Sequence, residues 1–360
     1  MKKLLYIVSG LICVSAYKSQ DIHFSQFNEQ PALINPALTG ATNPSRASIA
    51  YRNQWRSVTS PYVTMGASFE TRFNSTSWQQ VDKFKSMTFK QRAAGRLAAG
   101  ISIYKDNAGD GNLGSTQANL SLASFVPVGK KSYLSVGLQA SYVQRQLSSS
   151  NLIFPNQYNG TGYDASMNSN ESFPSQNYTY ADFASGVLWS YGQNDKSILG
   201  KRQLKINLGF SLYHLSKQKQ SFLLSSKNDN SLKYVLHGDM LLSLPNPDFA
   251  IAPSYLLQFR GTSSEILAGM IVKRFVRMDS KYTGIVKRSY FGVGVFYRNN
   301  DAAILYLSVE IKEQLNIGVS YDLNVSRLNK GTNARGGFEL TMRYTPPHSF
   351  LYQKKADVVK

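Results

Sequence analysis

Runs of about ten residues in which apolar and polar side chains alternate constrain this chain more than any other feature. From Leu315 the sequence places Leu315, Ile317, Val319 and Tyr321 on one parity and Asn316, Gly318, Ser320 and Asp322 on the other. Phe338, Leu340, Met342 and Tyr344 alternate in the same way with Glu339, Thr341 and Arg343, and Leu134, Val136, Leu138 and Ala140 with Ser135, Gly137 and Gln139. Period two sends each parity to one face of a sheet. A soluble sandwich would alternate too, but its strands average about five or six residues, whereas a tilted strand needs about ten to cross a bilayer. The apolar parity here rarely carries a charge, while the other is rich in Gly, Ser and Asn, as a lumen tolerates. Aromatics such as Tyr51 with Trp55, Tyr142, Tyr321 and Tyr344 fall near run ends, where interfacial girdles sit. Lipid leaves no place for an open sheet edge, so the sheet must close.

The expectation is therefore an all-β protein, a transmembrane outer-membrane antiparallel β-barrel. Fourteen strands are predicted near 46–57, 62–73, 94–104, 115–126, 132–145, 180–191, 203–213, 232–243, 249–260, 263–274, 289–298, 302–311, 314–323 and 336–345. An even count puts both ends of the barrel chain on the periplasmic side, with the odd-to-even connections facing out. The long polar connection 146–179 falls on that outer side, although the basic stretches 74–93 and 275–288 fall on the other. Asp21 to Asn43 does not alternate. The chain thus divides into a leader at 1–20, an N-terminal non-barrel segment at 21–45 that either plugs the barrel or hangs in the periplasm, a barrel at 46–345 and a tail at 346–360.

Lys2 and Lys3 ahead of the apolar run Leu4 to Ala16 read as a secretory signal peptide, cleaved between Ala16 and Gln20. Cys13 is the only cysteine, and Leu11-Ile12 before it lacks the small residue a lipidation site wants, so neither a lipid anchor nor a disulfide is expected. The net charge of +19 would suit nucleic acid, but the basic residues are scattered or lie between strands, as in Lys273, Arg274, Lys281, Lys287 and Arg288. An exported protein meets anionic lipid headgroups or a secreted partner first, so membrane lipid and no nucleic acid is the reading.

Chemistry is hard to place. His23, His214, His237 and His348 lack ligand spacing to one another, and no metalloprotease, nucleophile-elbow or phosphate-loop motif occurs. No cofactor and no catalytic residue is expected. Asp106 and Asp110, within the Asn- and Gly-rich stretch ending at Asn112, could offer oxygen ligands to Ca²⁺, but the stretch lacks the closing bidentate Glu and reads equally as a turn. Asn35-Pro36 favours a turn, and Trp55 serves as an interfacial anchor or as part of a docking face.

Four stretches carry a resemblance. Asp21-Ile22-His23-Phe24-Ser25-Gln26-Phe27, Ile34-Asn35-Pro36-Ala37-Leu38-Thr39-Gly40 with Tyr51-Arg52-Asn53-Gln54-Trp55, Gly318 to Ser326, and Gly336-Gly337-Phe338-Glu339-Leu340 together resemble the PorP/SprF family of the Bacteroidetes type IX secretion system. The resemblance implies an outer-membrane barrel that works beside the translocon, exporting or holding a large surface adhesin of the gliding type. The partners it implies are a secreted protein with a C-terminal sorting domain and translocon or periplasmic ring components. On this reading Asp21, His23, Phe24, Phe27, Asn35, Pro36, Arg52, Asn53, Trp55, Tyr321, Asp322 and Asn324 are candidates for a partner-binding face, joined by Lys217 and Lys219 in a basic connection. The alternative is a porin or a channel for hydrophobic substrates, using the same wall with an open lumen.

Overall fold

The computed structural model describes residues 21–55, 60–73, 96–109, 111–129, 131–148, 152–164, 166–170, 177–194, 203–216, 231–246, 248–278, 287–326 and 335–346. Lys217, Lys219, Asp110, the leader and all of the tail beyond Pro346 lie outside these residues.

Alternation becomes fourteen antiparallel strands: β1 (Ser45–Gln54), β2 (Tyr62–Phe73), β3 (Arg96–Ala108), β4 (Leu113–Pro127), β5 (Ser132–Gln146), β6 (Asn177–Asn194), β7 (Gln203–Tyr213), β8 (Lys233–Ser243), β9 (Phe249–Arg260), β10 (Ser263–Met278), β11 (Lys287–Arg298), β12 (Ala302–Ile311), β13 (Leu315–Asn324) and β14 (Arg335–Tyr344). Each pairs with its sequence neighbour, and β1 closes on β14 in a register running from Ala47 opposite Tyr344 to Gln54 opposite Gly337. Below, the base is the end where β1 begins and β14 finishes, and the mouth is the opposite end.

The two parities separate as a membrane barrel requires. Outward residues such as Ile101, Leu138 and Val295 are more than half exposed although apolar, an arrangement stable only against lipid. Tyr142 projects from the same face near the mouth and Tyr344 at the base. The buried set is the lumen parity, and it mixes Ser, Asn and Gln with charged Arg46, Arg52, Glu70, Arg298 and Glu339.

Some boundaries differ from the sequence reading, for local reasons. β3 continues four residues past 104, because Lys105 interrupts the apolar parity in the sequence while the ladder runs on, pairing Asp106 with Ser115. Asp106, offered above as a Ca²⁺ ligand, thus sits on β3, while its partner in that reading, Asp110, lies outside the described residues. The Asp106 carboxylate accepts hydrogen bonds from Tyr62 and from Thr64 Oγ1 (2.7 Å) inside the lumen, and it belongs to a strand rather than a loop. β1 stops at Gln54, not 57, because Trp55 turns to positive φ (54°).

Residues 21–43 lie within the barrel. The segment forms three short 3-10 turns, Phe27–Glu29, Pro31–Leu33 and Pro36–Leu38. Proline opens the second and third, where a helical turn has no use for an N–H. Asn35 caps the third, its side chain accepting a hydrogen bond from Ala37 N. Phe27, Ile34, Ala37, Leu38 and Ala41 pack into one apolar cluster with wall residues from Ala98 to Tyr306. The main hydrophobic core is thus the contact between this segment and the lumen wall.

Candidate functional site

The segment crosses the lumen from mouth to base, and the wall meets it in five places. At the mouth, the Asp21 carboxylate is paired with Arg260, the last residue of β9, with Lys233 Nζ (3.5 Å), the first of β8, and with His214 Nε2 (3.3 Å), just past β7. His214 Nδ1 lies 2.7 Å from Asp182 on β6, so the imidazole links two carboxylates. Burial alone would raise the Asp21 pKa, but Lys233, the His214 hydrogen bond and Arg260 hold it well below the usual carboxylate range. For His214 burial pulls the other way, yet its hydrogen bonds to Asp182 and Asp21 leave it raised.

One turn further in, a charged network spans the closing seam. The backbone N–H groups of Ser25 and Gln26 donate to the Glu339 carboxylate on β14 (2.8 and 2.9 Å). Arg52 on β1 donates to the His23 carbonyl (2.8 Å) and pairs with Asp322 on β13 (3.0 Å). Arg298 on β11 reaches both Ser25 Oγ (2.6 Å) and Asp322 (3.2 Å). His23 is driven down to about 4, chiefly by burial and further by Arg52 and Arg298, so it sits neutral with Nδ1 against the Asp21 carbonyl. Nearer the base, Glu29 stands between Arg343 on β14 (3.1 Å) and Arg46 on β1 (3.4 Å), and the two cations, outweighing burial, lower its pKa.

At mid-depth the Asn35-Pro36-Ala37 turn rests on wall glycines. A Cβ on Gly137 would lie 2.3 Å from Ala37 N, and one on Gly186 would lie 1.9 Å from Asn35 Oδ1. The missing side chains let Asn35 Nδ2 reach the carbonyls of Val187 (3.0 Å) and Phe210 (3.3 Å) and approach His237 Nε2 (3.1 Å). Ser135 Oγ donates to the Ala37 carbonyl (2.9 Å) and Tyr213 to that of Ala32 (3.0 Å). At the base, Gly40 N donates to Glu70 (3.0 Å), Thr39 Oγ1 to Ser121 (2.9 Å), and Arg72 to the carbonyls of Gly40 and Ala41, just before β1 begins.

Most residues singled out in the sequence meet here. Asp21, His23, Phe24, Phe27, Asn35, Pro36, Arg52 and Asp322 all face the lumen, with Phe24 against Tyr104 and Phe27 edge-on to Phe296. Tyr321 and Asn53 share the outward parity, and Asn53 donates to Tyr51 (3.1 Å). Trp55 stands at the mouth, its N–H bonded to the Gly336 carbonyl and its ring edge-on to Tyr62. Asn324 bonds the Arg335 carbonyl across the mouth end of β13 and β14. Sequence reasoning missed Glu29, Glu70, His214, Lys233, Arg260, Arg298 and Arg343 as a group. For Glu70, Lys233, Arg260 and Arg343 the signal was a charge on the lumen parity of a strand whose other parity has none, and for Glu29 an acid within the non-alternating segment; Arg298, on a strand with Lys287 on its other parity, and His214, past the end of β7, carried no such mark.

Fold and site together define an outer-membrane β-barrel plugged by its own N-terminal segment. Over residues 16–344 the chain matches the type IX secretion system membrane protein PorP/SprF, and it belongs to that family. No protein of curated function matches it in sequence. Among solved structures it is similar to BamA from Haemophilus ducreyi lacking POTRA domains 1–3 (9% identity, 84% of this chain and 70% of that one, TM-score 0.40). It is similar also to the toluene transporters TbuX of Ralstonia pickettii (10%, 86% and 91%, 0.43) and TodX of P. putida (10%, 88% and 94%, 0.41).

Proposed function

We propose that this protein is a non-enzymatic docking barrel of the type IX secretion system, supporting export or surface attachment of a large secreted protein through its mouth and outer loops, with the base towards the periplasm. The observation that carries the reading is the plug. A lumen crossed by an apolar turn seated on glycine and by buried ion pairs at both ends is built to stay filled. Interaction then belongs to the rim and the connections rather than to the bore. The even strand count and the 30-residue connection between β5 and β6 favour the mouth as the outer end. On that connection Ile153, Tyr158, Tyr163 and Met167 are exposed, which suits a protein partner because aromatic and Met side chains dominate interface cores.

Lys217 and Lys219, outside the described residues, are proposed to add a basic edge that steers an acidic domain. The porin or hydrophobic-channel reading requires the plug to move, and it separates cleanly in one experiment. The tagged protein is crosslinked gently in outer membranes, purified, and its companions identified by mass spectrometry. Recovery of a secreted protein with a C-terminal sorting domain, or of translocon subunits, is the expected result. The barrel alone, with ion conductance in planar bilayers, would overturn it.

A further inference from the structure

The plug runs in a direction that no strand count could reveal. β1 starts at the base, so the residues just before it, Thr39 to Pro44, are at the base as well, where Arg72 N bonds the Pro44 carbonyl. Asp21 is at the other end, against the first residue of β8 and the last of β9. The chain therefore enters the lumen at the mouth and leaves it at the base. We infer that the mature amino terminus opens at the cell-surface mouth of the barrel, where Lys233, Arg260 and His214 form a carboxylate-binding clasp whose ligand is the chain's own Asp21. The inference rests on the orientation proposed above, and it assigns the amino terminus to the outer docking surface instead of to the periplasmic ring.

The clasp has the features of a built site. Its three cationic or cation-capable groups come from three different wall elements, and they converge on one carboxylate that is itself mostly buried. Lys233 is further held over the Tyr213 ring (5.8 Å). A recess of about 60 Å³ lined by Asp21, His23, Lys233, Glu265, Arg298 and Asp301 adjoins it, so the clasp meets solvent at the mouth. The next contacts inward, Ser25 and Gln26 on Glu339 and Arg52 on the His23 carbonyl, fix the direction of travel residue by residue. An amino terminus left in the periplasm would have to double back through the same lumen to reach Asp21.

Two measurements test this. In the first, a Gly-Cys pair is inserted directly before Asp21, and labelling by a membrane-impermeant maleimide on intact cells is compared with Thr161→Cys in the mouth-side β5–β6 connection and Gly129→Cys in a base turn. The inserted cysteine should label within twofold of Thr161→Cys, and Gly129→Cys only after the outer membrane is permeabilised. If the inserted cysteine follows Gly129→Cys, the threading is wrong. If Thr161→Cys itself labels only after permeabilisation, the orientation falls instead. In the second, hydrogen exchange of the Ile22–Gln26 amides is followed in the purified barrel. Asp21→Lys should speed exchange at least tenfold, and adding Lys233→Glu should recover most of the protection; unchanged exchange in Asp21→Lys would overturn the clasp.

Discussion

Placing two methyl groups on the floor beneath the Asn35-Pro36-Ala37 turn should unseat the plug. In the double variant Gly137→Ala, Gly186→Ala the new carbons would stand 2.3 Å from Ala37 N and Pro36 C and 1.9 Å from Asn35 Oδ1, where carbon contacts ordinarily settle at about 3.5–4.0 Å. At Gly137 the obstacle is backbone, so no rotamer change relieves it, and the turn must rise by an ångström or more. Rising breaks the Ser135 bond to the Ala37 carbonyl and the Asn35 bonds to the Val187 and Phe210 carbonyls. Overpacking costs about 1–3 kcal/mol per site, and each buried hydrogen bond lost adds about 0.5–1.5 kcal/mol. The local penalty is thus roughly 4–10 kcal/mol, enough to turn a seat occupied almost all the time into one mostly vacated. The barrel wall itself, paired along its whole length, should survive. Single-channel recording in planar bilayers would read this as frequent conductance bursts in the variant against a silent wild type, with heat-modifiable mobility on gels confirming a folded barrel. Gly192→Ala, where an added Cβ meets nothing within 4 Å, is the matched control. A folded double variant as silent as wild type would refute the glycine-seat argument.

Two further outcomes follow from the charged contacts. Glu29→Gln removes the carboxylate between Arg46 and Arg343 and should cost about 3 kcal/mol, the low end for breaking a buried ion pair, because Arg343 keeps Glu310 (2.5 Å); a guanidinium unfolding midpoint in detergent equal to wild type would show that Glu29 holds nothing. The clasp should depend on pH in a stated direction. The raised pKa of His214 means its contribution is complete below about pH 6.5 and fades as pH rises through the raised value, while the depressed pKa of Asp21 means its share is lost only in strong acid, as pH falls through that lowered value. The groups facing His214 are Asp182, which also accepts from Ser216, and Asp21, with Lys233 and Arg260 on the far side of Asp21. Exchange at Ile22–Gln26, corrected for intrinsic rate, should therefore be faster at pH 9 than at pH 6, and His214→Ala should remove that difference.

The barrel was legible because its signal is local: alternation reports which face each side chain takes, and fourteen runs could be counted one by one. The edges that moved did so where the apolar parity was interrupted while the backbone ladder was not, as at Lys105 in β3, or where a residue without alternation ended a strand, as at Trp55. The plug was legible only as an absence of alternation between Asp21 and Asn43. Its path depends on contacts such as Ser25 with Asp322, or Asn35 with Phe210, whose partners are more than 170 residues apart in sequence. His214 and His237 show the limit well. Neither has ligand spacing to another histidine, yet both touch the plug, because topology and not spacing brings β7 and β8 against it.

The position of these contacts bears on how the plug could ever move. The β1–β14 closure is joined over eight paired residues, against fifteen between β5 and β6, so it is among the shorter ladders of the barrel. On its lumen side the charges of β1 and β14 are balanced partly through the plug: Glu29 sits between Arg46 and Arg343, and the Ser25 and Gln26 amides donate to Glu339. Withdrawing the whole segment would leave two arginines facing each other and a carboxylate stripped of two donors at the place where the wall has least ladder to spare. Arg343 would keep Glu310 and Glu339 would keep Arg52 (3.8 Å), yet breaking the buried Glu29 pairs alone costs about 3–5 kcal/mol. Release of the mouth end alone, at Asp21, disturbs none of these seam contacts. Any conformational response to a partner should therefore begin at the clasp and stop short of Ser25, changing what the mouth displays while the lumen stays filled.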